Sequence, residues 1–103
     1  MENLTINLAR KSVEELSRLI EEKFTDVDVD FIDNVLNIET SDEQTLVVSI
    51  HEPTCQIWYS SPLSGALHFK HEKNNAWINT RDEHQKFPNI VLKEIEFIEN
   101  ENR

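Results

Sequence analysis

Between Glu14 and Asp33 the chain sets eight carboxylates (Glu14, Glu15, Glu21, Glu22, Asp26, Asp28, Asp30 and Asp33) against two bases, Arg18 and Lys23. From Phe24 to Phe69 it carries no lysine or arginine at all. Crowded, uncompensated oxygen donors are the chemistry of hard cations: iron, manganese, calcium or magnesium. Without an enclosing cage, such a ridge holds its ion weakly and selects poorly among metals. The alternative is a solvated helix face followed by a charged edge strand that discourages aggregation.

A second group of residues suits protein contact. In the run Gln56-Ile57-Trp58-Tyr59-Ser60-Ser61-Pro62-Leu63-Ser64-Gly65, the period of two puts Trp58 on one face with Gln56 and Ser60. Cys55, Ile57 and Tyr59 fall on the other. If the second set is buried, Trp58 is an exposed aromatic anchor on a sheet; reversed parity makes it core. Ser61-Pro62-Leu63-Ser64 reads as a turn with proline at its second position. Gly65, the chain's one glycine, is expected at the positive φ that follows. The acids and the tryptophan are expected on separate surfaces.

Other reactive types carry less. Ser60, Ser61 and Ser64 have histidines within the same sequence region, but no Gly-x-Ser-x-Gly elbow or glycine-rich oxyanion loop accompanies them. His68 and His71 are three apart on an expected strand and face opposite ways, so they do not share a metal. His51 and His68 can share one face. Cys55, if inward, is an inert core thiol. Nothing resembles a phosphate-cradling glycine loop.

The elements that position these residues follow from hydrophobic spacing. Ile6, Ala9, Val13, Leu16, Ile20 and Phe24 recur every three or four residues. They predict an amphipathic helix of about 18 residues, with Glu14, Glu15, Arg18, Glu21 and Glu22 opposite. The period then drops to two: Asp26 to Phe31 alternates strictly, placing Val27, Val29 and Phe31 inward and three aspartates outward. Asp33-Asn34 signals a turn. Leu36 and Ile38 mark a second strand. Leu46, Val48 and Ile50 mark a third, ending before Pro53. Cys55 to Ser60 reads as a fourth, Leu67 and Phe69 as a fifth, and Ala76 to Thr80 as a sixth, with a turn at Lys73-Asn74-Asn75 between the last two. Pro88 suits the first turn of a short second helix, whose inward face is Ile90 or Val91, Glu94 or Ile95, and Ile98. Helix, about six antiparallel strands, helix: the expected fold class is α+β. In this two-layer sandwich both terminal helices pack on one sheet face and the other stays open.

Residues 1–103 read as a single domain, with no linker or repeat. The net charge of −10 repels phosphate and anionic lipid, which argues against nucleic acid and membrane surfaces as partners. It favours cations and basic protein surfaces. One cysteine allows no internal disulfide and no cysteine-rich zinc site. The start Met1-Glu2-Asn3-Leu4 shows neither a secretory nor an arginine-rich transit pattern. A bacterial cytoplasm is therefore expected, or, for a processed chain, the mitochondrial matrix or a mitochondrion-derived organelle.

The central run resembles the frataxin family. Glu52-Pro53, Gln56-Ile57-Trp58 and Ser60-Ser61-Pro62-x-Ser64-Gly65 are similar to that family's proline, glutamine–hydrophobic–tryptophan triplet and Ser-Ser-Pro-x-Ser-Gly turn. Val35-Leu36-x-Ile38, Leu16-x-x-Leu19-Ile20-Glu21-Glu22 and His68-Phe69 extend the likeness over nearly the whole chain. The chain departs from the family pattern at Cys55, where a basic residue is common. Lys70 stands where an acid usually follows the aromatic. The resemblance implies a frataxin-like sandwich that binds iron (Fe2+ or Fe3+) weakly on an acidic ridge. It also implies docking on a complex of cysteine desulfurase and iron–sulfur scaffold protein, where the family modulates cluster assembly. Glu21, Glu22, Asp26, Asp28 and Asp30 resemble the ridge ligands, with Glu14 and Glu15 extending them. Gln56 and Trp58 resemble the partner-facing pair, with Ser49, His51 and His68 beside them. The resemblance implies a binding and regulatory monomer, an iron chaperone, rather than an enzyme. Its alternative is ferroxidase or iron-storage activity in iron-driven oligomers.

Overall fold

The computed structural model describes residues 3–101; Met1, Glu2, Asn102 and Arg103, and with them the leader reading at the N-terminus, lie outside the described residues. Helix α1 spans Leu4–Lys23. Asn3 caps it, its side-chain oxygen accepting from the Ile6 N–H at 3.1 Å. Ile6, Ala9, Val13, Leu16 and Ile20 form its buried stripe, the face that the spacing predicts.

An antiparallel sheet of seven strands follows in simple meander order: β1 (Asp28–Ile32), β2 (Val35–Glu39), β3 (Thr45–His51), β4 (Gln56–Ser61), β5 (Gly65–Glu72), β6 (Ala76–Asn79) and β7 (Asp82–Phe87). Helix α2, Asn89–Glu101, closes the chain. The helices contact the sheet from one side, α1 against β1, β3 and β4 and α2 against β7. Between the layers lie Leu36, Ile38, Leu46, Val48, Ile57, Tyr59, Phe69 and Trp77 from the strands, with Val91, Ile95 and Ile98 from α2. Sequence and structure therefore agree on an α+β sandwich with one open sheet face. No helix is long and apolar enough to cross a membrane among the described residues.

Four boundaries differ from the sequence reading. The sheet has seven strands, not six. In Asp-Glu-His-Gln-Lys-Phe of β7 only Phe87 is buried, so no apolar alternation announces an edge strand held by its ladder to β6. Asp26 lies in the turn after α1, and only Asp28 and Asp30 of the three aspartates stand on β1. Cys55 precedes β4: it adopts a left-handed φ of 53° to end the short 3-10 turn Glu52–Thr54. Pro88 stands just before α2, where its carbonyl accepts from the N–H groups of Val91 and Leu92 at 3.0 and 3.2 Å.

The turns behave as their residues dictate. Asp33 and Asn34 both have positive φ, 52° and 67°, the mirror-image geometry that suits the twist of a two-residue hairpin. Gly65 has φ +74°, and a Cβ there would meet nothing within 4 Å. Glycine is thus favoured here by the backbone angle, not by crowding.

Candidate functional site: an acidic edge and an aromatic open face

The register of β1 and β2 determines where the acids go. Asp28 pairs with Glu39 and Asp30 with Asn37, while Val29, Phe31, Leu36 and Ile38 turn toward the helices. Asp28, Asp30 and Glu39 therefore stand together on the open face and border a shallow depression with Asn37 and Thr45. Glu39 was absent from the expected ridge. The signal for it was present, because a two-residue turn at Asp33-Asn34 places it directly across from Asp28. Glu14, Glu15, Glu21 and Glu22 are exposed on α1 and Asp26 is exposed in the turn. The carboxylates thus follow the α1–β1 edge, with those of β1 pointing away from the helix layer. Among the described residues no three His, Cys, Asp or Glu side chains converge into a set that could hold a metal. The donors are of the kind that suits a hard cation.

The acids of β1 and β2 are not on a separate surface from the tryptophan, whereas Glu14, Glu15, Glu21 and Glu22 lie on α1. Following the ladder from Asp30 through Asn37 and Val47 reaches Ser60, which shares its face with Trp58. The alternation of side chains along each strand carries both groups to the same side.

Trp58 is half-buried at the centre of this open face, not beneath the helices. His51 stacks on one side of the indole, with ring centroids 3.7 Å apart and planes 12° apart. His68 stacks on the other at 4.2 Å and 12°. Three neighbouring strands thus build one aromatic layer. The indole N–H donates to Gln56 Oε1 at 2.9 Å, and Ser49 stands directly opposite Trp58 in the ladder. All five expected partner-facing residues (Ser49, His51, Gln56, Trp58, His68) are brought together. The stack itself was not foreseen, since it depends on the β3–β4–β5 register. His71 lies on the helix side against Trp77, at 5.0 Å.

Beneath Trp58, on the helix side, lies a polar cluster that spacing left unresolved. Glu94 of α2 is only 7% exposed. Its Oε1 accepts from Tyr59 at 2.7 Å, Ser61 at 2.6 Å and Ser64 at 3.3 Å. Ser61 Oγ in turn accepts from the backbone N–H of Leu63 and Ser64. One buried carboxylate thus fastens the turn after β4 to α2. Burial first, then the hydrogen bond to Glu94 and its negative charge, push the Tyr59 phenol far above its ordinary value, against a smaller opposing effect from Ser61. Ser61 and Ser64 are committed to Glu94, away from His51 and His68 on the open face. Cys55 is partly buried; its Sγ accepts from Asn3 Nδ2 at 3.3 Å.

Comparison with known proteins extends this geometry. A family model described as a frataxin-like domain matches residues 2–100. The mitochondrial frataxin homolog of Schizosaccharomyces pombe is 31% identical over 80 residues, covering 77% of this chain and 49% of that protein. The mitochondrial frataxin of Arabidopsis thaliana is 32% identical over 95 residues, covering 91% of this chain and 49% of that protein. The chain spans about half the length of these curated relatives. Among solved structures, a frataxin from Psychromonas ingrahamii superposes with TM-score 0.79 at 26% identity, over 88% of this chain and 84% of the other. A trimeric frataxin from Saccharomyces cerevisiae, complexed with ferrous iron, superposes with TM-score 0.70 at 27% identity, over 93% and 85%.

Proposed function

Because this chain belongs to the frataxin family, we propose that it carries weakly held iron on its acidic edge and docks by its open face on a cysteine desulfurase–scaffold complex, modulating iron–sulfur cluster assembly. The observation that carries the reading is the open face itself. Uncompensated carboxylates (Asp28, Asp30, Glu39) line one edge, and Trp58 stands free of the helix layer at the centre. A ferrous complex of the similar yeast protein supports iron as the cargo. Glu21, Glu22, Asp26, Asp28 and Asp30, extended by Glu14 and Glu15, are the proposed donors. Loose holding suits an ion that is to be passed on, and a basic partner surface is drawn to the same carboxylates.

The deciding experiment titrates the protein into a desulfurase assay containing scaffold protein and iron. The expected result is a dose-dependent change in sulfide release that Trp58→Ala weakens at least tenfold while leaving the melting temperature within a few degrees. A tryptophan buried between layers would cost about 3–5 kcal/mol on the same truncation. No change in rate at any protein concentration would overturn the reading.

The trimeric state of the yeast neighbour favours a second reading, iron-driven oligomers with ferroxidase or storage activity. Oxygen consumption with Fe(II) above a buffer blank, together with iron-dependent growth in light scattering, is the outcome that would select it.

A further inference from the structure

Two hydrogen-bond donors stand beside Trp58, the Gln56 amide and the Lys70 ammonium. Gln56 Oε1 is occupied by the indole N–H, so the amide NH2 of Gln56 is what remains for a ligand. The same bond leaves the indole presenting only its carbon edge, because His51 and His68 cover both faces. Thr54 Oγ1 lies 2.7 Å from His51 Nδ1, which leaves Nε2 of that ring as its outward nitrogen. Lys70 sits directly across from Gln56 in the β4–β5 ladder, its side chain 53% exposed, and pairs with Glu72 at 3.2 Å. Ile78 and Lys86 continue the same row onto β6 and β7. The row that runs through Trp58 itself, Ile32, Val35, Ser49 and His68, carries no carboxylate. In a chain of net charge −10, Lys70 and Lys86 share one open-face row with Gln56.

Resting on the docking role proposed above, we infer that the Gln56–Lys70 side of the stack recognises a carboxylate side chain of the partner protein, placed beside an apolar group that covers the exposed edge of Trp58. A carboxylate accepts from several donors at once, and the Gln56 amide and the Lys70 ammonium stand directly opposite each other on β4 and β5. Complementarity then has two poles. The β1–β2 edge asks for a basic partner group and the β4–β5 centre asks for an acidic one, which fixes the partner's orientation as well as its affinity.

The test measures dissociation constants of the purified cysteine desulfurase–scaffold complex for the native protein and for Trp58→Ala, Gln56→Glu and Lys70→Glu. Gln56→Glu retains an acceptor for the indole N–H while replacing the outward amide by a negative charge, so the aromatic layer stays in place. Thermal unfolding of each variant controls for the fold. The expected result is that Gln56→Glu and Lys70→Glu each weaken binding tenfold or more. If Trp58→Ala weakens binding while both charge variants bind within twofold of native, or more tightly, the carboxylate assignment is overturned and the docking reading stands. If Trp58→Ala also binds like the native protein, the docking reading fails, and this inference with it.

Discussion

At the scale of the residue, the chain's single tyrosine reports on the buried network around Glu94. Tyr59 donates to Glu94 in the interior, and the folded state favours the neutral phenol. A group whose folded pKa is raised contributes its full stability below its unfolded value, about 10 for tyrosine. That contribution fades as the pH rises further. Stability is therefore expected to fall from about pH 10 upward. Tyrosinate absorbance should emerge together with the loss of circular dichroism; its appearance in a fully folded sample would contradict the burial. Glu94→Ala leaves three hydroxyls without their acceptor and is expected to cost about 2–3 kcal/mol in denaturant unfolding.

At the scale of the element, the turn between β4 and β5 joins the helix layer to the open face. It is pinned at one end by Ser61 and Ser64 on Glu94 and shaped at the other by the left-handed Gly65. Gly65→Ala meets empty space but must adopt φ +74°. The expected loss is about 1 kcal/mol from backbone strain alone, measured by chemical denaturation with an unchanged m-value. A loss several times larger would mean that the turn shifts as a whole. The helix α1 has its own ties to the sheet: Arg10 donates to Asn34 Oδ1 at 3.0 Å and pairs with Glu52 at 3.0 Å. Trp77 donates to Ser12 Oγ at 3.1 Å.

At the scale of the whole molecule, the acidic edge trades stability for attraction. Asp28 faces Glu39 directly across the ladder, and like charges so placed repel. Replacing Asp26, Asp28 and Asp30 together by asparagine is expected to raise the melting temperature of the metal-free protein by about 5 °C, equivalent to about 1 kcal/mol for a domain of this size. The same change should abolish the stabilisation that ferrous iron or another hard cation gives the native chain. A triple variant that still gains stability with metal would move the site elsewhere.

What the sequence determined by itself was whatever depends on spacing along one segment. The buried stripe of α1, the inward parity of Val29, Leu36, Ile38 and Ile57, the Asp33-Asn34 turn and the positive φ of Gly65 all follow from local sterics and periodicity. So does the open face, because two terminal helices can cover only one side of the sheet. Tertiary structure decided what depends on register and on contacts between distant segments. Pairing across β3, β4 and β5 placed Trp58 between two histidines. The β1–β2 ladder added Glu39 to the acids and set it, with Asp28 and Asp30, on the tryptophan's own face. Packing of α2 on β4 turned Glu94, an acid on an otherwise apolar helix stripe, into the buried acceptor for three hydroxyls. The edge strand β7 escaped the period-of-two reading for the same reason: its place comes from hydrogen bonds to β6, and backbone hydrogen bonds leave no mark on side-chain sequence.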